Sequence, residues 1–530
     1  MSLASIDLQA SPPHVHFPRP YNAAVDLLER HRHSGRTAFI DDRQRLSFAA
    51  LAERADQAGR ALLHLGLEPE QRVVMAMLDT VDFPAVFLGA IKAGLVPVPV
   101  NTLLGVDDYA YFLEDSRAKA LVVSDYLLPK LAPAAARQGQ ALRGVLVGKT
   151  ALGGPEGHSF LSLDAALDAQ RGPLEPARTS ADEVAFWLYS SGSTGAPKGT
   201  LHLQGSLQYT AALYARGILG LGPDDVVFSA AKLFFAYGLG NSLTFPLSVG
   251  AQSVLMAERS TPQAVSRVMT EAKPTIFCGV PTLFASMLAD PGFGPARSSP
   301  ALRLSTSAGE ALPKHVGERW RERLGTDILD GIGSTEMLHI FLSNRRGDVA
   351  YGTSGRPVPG YELDLRSDGG GPTADGEEGS LWVRGPSAAS GYFANREKTL
   401  ATFHGPWTRT GDRYLRDSDG RYTYCGRADD MLKVGGIWVS PFEVESALAR
   451  HPEVLEAAVV GGTDAEGLVK PKAFVVLKPG AVASEALADA LKVFVKTELA
   501  PYKYPRWIVF KDELPKTATG KIQRFRLREE

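Results

Sequence analysis

Residues 189–199 read Tyr-Ser-Ser-Gly-Ser-Thr-Gly-Ala-Pro-Lys-Gly, with four Ser/Thr hydroxyls, three glycines and one lysine in a single short stretch. The apolar run Val184-Ala185-Phe186-Trp187-Leu188 before it predicts a buried strand. A Gly/Ser/Thr loop after a strand presents many backbone N–H groups, and its small side chains let a polyphosphate approach closely. The hydroxyls and Lys198 add charge-assisted donors. Gly-Lys-Ser/Thr does not end the stretch, so it is not a Walker A loop. Read from composition alone, it could equally be a Ser/Gly-rich surface turn.

Outward from this loop, the chain alternates buried strands and helices. Val73–Leu78 reads as a strand, Asp82–Ala93 as a helix and Gly94–Val100 as a strand again, which predicts βαβ units in a mostly parallel sheet. The alternation recurs at Val226–Phe228, Ser253–Met256, Thr275–Cys278 and Leu302–Thr306. Residues 350–426 are Gly-rich with short β-prone runs such as Ser380–Arg384, predicting a β-rich part. After Gly426-Arg427-Ala428-Asp429-Asp430, the order helix, strand, strand, helix, strand predicts a small α+β domain. The expected division is therefore 1–427 and 428–530.

At 530 residues the chain exceeds one compact core. Its 44% hydrophobic and 22% charged residues are those of a soluble globular protein. A formal net charge of −2 gives no global drive toward nucleic acid or an anionic membrane. The only cysteines, Cys278 and Cys425, offer no zinc site or disulfide framework, which suits a reducing, cytoplasmic setting. Residues 1–20 lack the pattern of a signal peptide, and no apolar run is long enough to span a membrane. Residues 500–530 hold eight Lys/Arg against four acids, either a solvated tail or a basic surface.

Four more segments carry candidate chemistry. Ser307-Ala308-Gly309-Glu310-Ala311-Leu312-Pro313 is a small-residue turn between a strand and a helix, which permits close backbone approach to a flat ligand. Asp330-Gly331-Ile332-Gly333-Ser334-Thr335-Glu336 reads as a Gly-rich loop that ends in one carboxylate. Trp407-Thr408-Arg409-Thr410-Gly411-Asp412 is expected to present Asp412 at a loop, where a carboxylate can accept two ribose hydroxyls or simply cap a turn. Leu514-Pro515-Lys516-Thr517-Ala518-Thr519-Gly520-Lys521-Ile522 places a lysine in a Gly/Thr loop.

Together, and in this order, the five segments resemble the adenylate-forming enzymes: acyl-CoA synthetases, peptide-synthetase adenylation domains and luciferases. The resemblance runs from about residue 36 to Arg528. It implies a large N-terminal α/β domain of parallel-rich sheets with a β-rich part, followed by a small mobile α+β domain. It assigns ATP phosphates to Ser190, Ser191, Gly192, Ser193, Thr194, Gly195 and Lys198. Ala308, Gly309, Glu310, Asp330, Gly331, Ile332 and Thr335 would surround the nucleotide, with the aliphatic Ile332 where many relatives stack an aromatic ring on adenine. Glu336 would hold Mg²⁺, Asp412 the ribose, and Arg427 the ribose and phosphate region. Lys521 would bridge a carboxylate and the α-phosphate, with Thr194 and Glu336 as its catalytic partners. Asp429 matches the family's hinge, and Lys433, Gly435 and Gly436 match its CoA-facing loop.

The segments Ala230–Asn241, Gly331–Phe341 and Asn101–Leu104 resemble the benzoate–CoA ligases in particular. That resemblance implies an acyl pocket of Phe235, Ala236, Tyr237, Gly333, His339 and Ile340, although a Phe-Phe pair and a lone histidine could equally be core. It further implies benzoate, ATP and CoA as substrates, benzoyl-adenylate as intermediate, and a role in degrading aromatic compounds. Lys521 would then be a target for a lysine acetyltransferase and deacetylase. The alternatives are a stand-alone aryl adenylation enzyme loading a carrier protein, a luciferase-like oxidation, or a non-catalytic nucleotide-binding protein.

Overall fold

The computed structural model describes residues 1–190, 196–428, 430–434, 437–465, 468–516 and 522–528. Its centre is a nine-stranded sheet. Six of the strands, Ile328–Gly333, Leu304–Ser307, Ile276–Gly279, Val226–Ser229, Gln252–Val254 and Thr37–Ile40, run parallel in that spatial order. Antiparallel strands close both flanks, Ile340–Ser343 with Arg356–Pro357 on one side and Arg45–Ser47 on the other. A second, all-parallel sheet orders Val96–Pro99, Arg72–Ala76, Ala120–Ser124, Gly144–Gly148 and Leu161–Ser162. The central strands of both sheets are apolar runs buried along their length, because helices cover both faces of a parallel sheet. Helix Asp82–Lys92, buried throughout, makes the crossover read from the sequence.

The run Val184–Ser190 is a strand, as expected. It pairs antiparallel with Lys198–Leu203, with Ser190 opposite Lys198 and Tyr189 opposite Gly199. Residues 362–427 form the expected β-rich part, an antiparallel sheet of Glu362–Arg366, Glu378–Arg384, Phe403–His404, Trp407–Arg416 and Tyr422–Arg427. Beyond residue 440 the order is helix Pro441–Leu448, strands Val454–Thr463 and Val469–Leu477, helix Glu485–Glu498 and strand Trp507–Phe510. This is the predicted α+β succession, and its core of Val444, Leu448, Val459, Val475, Leu491 and Val495 is its own. Among the described residues no helix is long and apolar enough to cross a membrane.

Candidate active site

Three neighbouring parallel strands, Ile276–Gly279, Leu304–Ser307 and Ile328–Gly333, end at one cavity of about 780 Å³. Pro281 and Thr282 follow the first strand, Gly309 and Glu310 the second, and Gly333–Glu336 close the third, and all of them line the cavity. Open parallel sheets bind ligands beyond their carboxyl ends, because the strand-to-helix turns there carry no side-chain layer. The hairpin 184–203 adds Ser190 and Lys198, the β-rich sheet adds Asp412 and Arg427, and residues after 440 add Glu445, Lys516, Ile522 and Arg524.

Four charged groups on this wall, Lys198, Glu336, Asp412 and Arg427, have an identifiable support. Lys198 sits half-buried with its ammonium 4.3 Å from the Tyr392 ring centroid. Burial pulls its pKa down, and the nearby Glu336 carboxylate opposes that shift. The same Tyr392 donates its hydroxyl to Glu336 Oε1 at 2.8 Å, so one aromatic side chain orients both the cation and the carboxylate. Burial and the Glu336 charge push the Tyr392 phenol upward, keeping it a neutral donor. Arg427 donates to Asp412 Oδ1 at 3.2 Å and to the Thr410 carbonyl at 3.0 Å. Asp412 and Arg427 are register partners across two antiparallel strands. Gly411, just before Asp412, has φ +78°, and a Cβ there would meet the Arg427 guanidinium at 2.7 Å.

Two expectations about local structure are corrected. Asp412 lies inside strand Trp407–Arg416, not at a loop, because the positive φ of Gly411 is absorbed where the register shifts opposite Ser380–Trp382 and the ladder runs on. Likewise Asp330, Gly331, Ile332 and Gly333 belong to strand Ile328–Gly333, and the strand continues until it meets the turn at Ser334. Gly333 is required there, since a Cβ would lie 2.5 Å from the His339 carbonyl oxygen.

Of the expected nucleotide residues, Ser190, Lys198, Gly309, Glu310, Gly331, Ile332, Thr335, Glu336, Asp412 and Arg427 share this cavity. Ala308 and Asp330 are buried behind its lining. Asp330 accepts from the Leu312 N–H at 3.4 Å, and burial pushes its carboxyl up to about 8. Ser191, Gly192, Ser193, Thr194, Gly195, Asp429, Gly435, Gly436 and Lys521 lie outside the described residues, as does the Lys433 side chain. Lys516 and Ile522, bridged antiparallel to each other and both on the cavity wall, flank the segment that carries Lys521.

Of the expected acyl-pocket residues, only Gly333 reaches this cavity. Phe235, Ala236, Tyr237, His339 and Ile340 do not line it, and Tyr237 packs on the buried cluster that holds Ile340. The Tyr237 hydroxyl shares a 2.6 Å hydrogen bond with Thr306 Oγ1, and His339 Nε2 lies 3.4 Å from the Tyr237 carbonyl. The His339 ring packs among Tyr214, Tyr237 and Phe245 at centroid separations of 5.2, 5.6 and 4.5 Å. Burial lowers its pKa to about 3, so it is neutral. Sequence reading missed Tyr392, Tyr111, Lys398 and Arg524 on the cavity wall. None lies in one of the five motif segments, so no motif marked them.

Residues 28–393 match the AMP-binding enzyme family, and residues 443–521 match its AMP-binding enzyme C-terminal domain. A benzoate–CoA ligase of Thauera aromatica is 57% identical over 99% of both chains. The crystal structure of a benzoate CoA ligase from Burkholderia xenovorans LB400 superposes with TM-score 0.89 at 52% identity, covering 96% of this chain and 100% of that one. The anthranilate CoA ligase AuaEII in complex with anthranoyl-AMP superposes with TM-score 0.92 at 43% identity, covering 97% of each chain. The strand-end cavity, its paired cations and carboxylates and the full-length likeness agree: the chain belongs to the AMP-binding enzyme family.

Proposed function

We propose that this chain is an ATP-dependent benzoate–CoA ligase. The observation that carries the reading is end-to-end likeness to a benzoate–CoA ligase in a chain whose Lys198, Glu336, Asp412 and Arg427 converge on one cavity. In the first half-reaction a benzoate carboxylate oxygen attacks the α-phosphorus of ATP, and pyrophosphate leaves. In the second, the thiol of CoA gives up its proton and attacks the acyl carbon of benzoyl-AMP, and AMP leaves. AMP is a good leaving group, so no protein nucleophile is needed.

The obstacle in the first step is charge, since two anions must meet and negative charge builds at phosphorus. Fixed cations in a water-poor site stabilise that state more than water can. Lys198 and the 190–195 segment are assigned to the β- and γ-phosphates, and Lys521 to the α-phosphate and the benzoate carboxylate. Asp412, aligned by Arg427, accepts from the ribose hydroxyls. Phe235, Ala236, Tyr237, Gly333, His339 and Ile340 enclose the benzoate ring. Lys433, Gly435 and Gly436 face CoA after the C-terminal part turns about Asp429.

Mg²⁺ fits the donors present. Among the described residues no cluster of three or more His, Cys, Asp or Glu could hold a metal. Mg²⁺ in nucleotide sites is held by one or two carboxylates plus phosphate oxygens, which a single oriented Glu336 matches. When bound, the ion would neutralise phosphate charge beside Glu336. Lys521 is further proposed as the substrate of a lysine acetyltransferase and deacetylase, because acetylation removes the charge that both anions need. Fully acetylated protein, verified by mass spectrometry, is expected to lose pyrophosphate exchange.

The function is tested by ATP–pyrophosphate exchange over a panel of acids, followed by product analysis with CoA. Benzoate should support exchange far better than acetate or decanoate, and CoA should yield benzoyl-CoA with one AMP per thioester. Equal exchange with decanoate would refute the assigned acyl pocket. ADP in place of AMP would refute the reaction.

A further inference from the structure

Helix Val106–Asp115 gives the cavity wall only Tyr111, yet it bonds near both ends of the Ser/Gly/Thr stretch. Tyr111 and Asp115 are four residues apart and therefore share one helix face. The Tyr111 hydroxyl donates to the Pro197 carbonyl at 2.7 Å, just before Lys198. Asp115 Oδ2 accepts from the Tyr189 hydroxyl at 2.7 Å, just before Ser190. Between these bonds the Phe112 ring packs on Tyr189, centroids 4.4 Å apart. The helix is itself fixed at its start. Gly105 N–H donates to the Asp108 carboxylate at 3.0 Å, and the Tyr109 hydroxyl donates to the Asn101 carbonyl at 3.0 Å. The Asn101–Leu104 segment thus leads into this helix.

We infer that Tyr111 and the Tyr189–Asp115 pair are positioning residues for ATP, setting the separation of the two strand ends between which residues 191–195 run. The inference rests on reading that segment as the phosphate-binding loop of an ATP-using enzyme. Many backbone donors can meet a triphosphate tail only if the chain entering and leaving the segment is held. Ordering those ends on binding would otherwise cost affinity. Neither Asp115 nor Tyr189 lines the cavity, so they act through the backbone they anchor. The effect belongs to the β- and γ-phosphates, which ATP has and AMP lacks.

The test is calorimetric titration of the full chain with Mg²⁺-ATP and with AMP, acid and CoA omitted, for native protein, Tyr111→Phe, Asp115→Ala and Asp115→Asn. Loss of one such hydrogen bond is expected to weaken ATP binding about five- to tenfold, with AMP binding changed less than twofold. Asp115→Asn should recover most of the loss, because the amide oxygen still accepts from Tyr189. Should Asp115→Ala fail to fold, Tyr189→Phe, which deletes one oxygen off the cavity and keeps the ring, decides alone. Equal losses for ATP and AMP, or no loss for either, would overturn the inference. Native protein that binds neither nucleotide would overturn the ATP-using reading itself.

Discussion

Tyr392 shows how single side chains set this site. Its hydroxyl fixes Glu336, and its ring faces Lys198. Tyr392→Phe keeps the ring and deletes the orienting bond. Such outer-shell losses typically lower metal affinity about 10- to 100-fold, so the half-saturating Mg²⁺ concentration should rise at least tenfold. An unchanged Mg²⁺ titration would remove Glu336 from the metal site. Ala236→Leu tests the acyl wall. Overpacking costs about 1–3 kcal/mol, and kcat/KM for benzoate should drop about tenfold with the KM for ATP unmoved. Residue identity was legible where chemistry demanded an ordered motif: Lys198, Glu336, Asp412 and Arg427 were all named from sequence and meet in one cavity. Tyr392 was not legible, because its partners Glu336 and Lys198 come from distant segments and only folding brings them together.

At the scale of elements, the parallel strands were readable because burial on both faces makes their sequences continuous apolar runs. The pairing of Val184–Ser190 with Lys198–Leu203 was not readable, since the intervening segment gives no two-residue hairpin signal. The π-helical turns at Ala211–Arg216 and Gly240–Thr244 also escaped sequence reading, because one extra residue per turn leaves no periodic trace. That region is polar inside. His202, fully buried on strand Lys198–Leu203, stacks on Phe186 at 4.9 Å, and burial lowers its pKa to about 3. An unfolded histidine titrates near 6.5. The folded state therefore resists protonation, and the stability present above about 6.5 is lost as pH falls toward 3. His339 acts in the same sense. His202→Leu should flatten the acid limb of the thermal midpoint between these pH values, and an unaltered slope would show that His202 does not titrate on unfolding.

For the whole molecule, Lys516 and Ile522, the described residues on either side of the Lys521 segment, both line the strand-end cavity. The segment is followed by Arg524, which donates to both Glu445 oxygens at 2.8 and 2.6 Å. Arg528 in turn pairs with Asp430 beside the proposed hinge. These contacts lie within the C-terminal part. Asp429→Pro, which restricts φ at the hinge, should spare adenylation and slow thioester formation. Lys521→Ala should do the reverse, abolishing adenylation while supplied benzoyl-AMP still yields benzoyl-CoA. If both variants lose both half-reactions equally, rotation about Asp429 is wrong. The most direct test of the account is a rapid-quench single turnover with excess protein, ATP and benzoate, and CoA added only after a delay. Benzoyl-AMP should accumulate with pyrophosphate before CoA is present, then convert to benzoyl-CoA and AMP once it is added. Benzoyl-CoA formed with no preceding benzoyl-AMP, or no benzoate-dependent release of pyrophosphate, would contradict it.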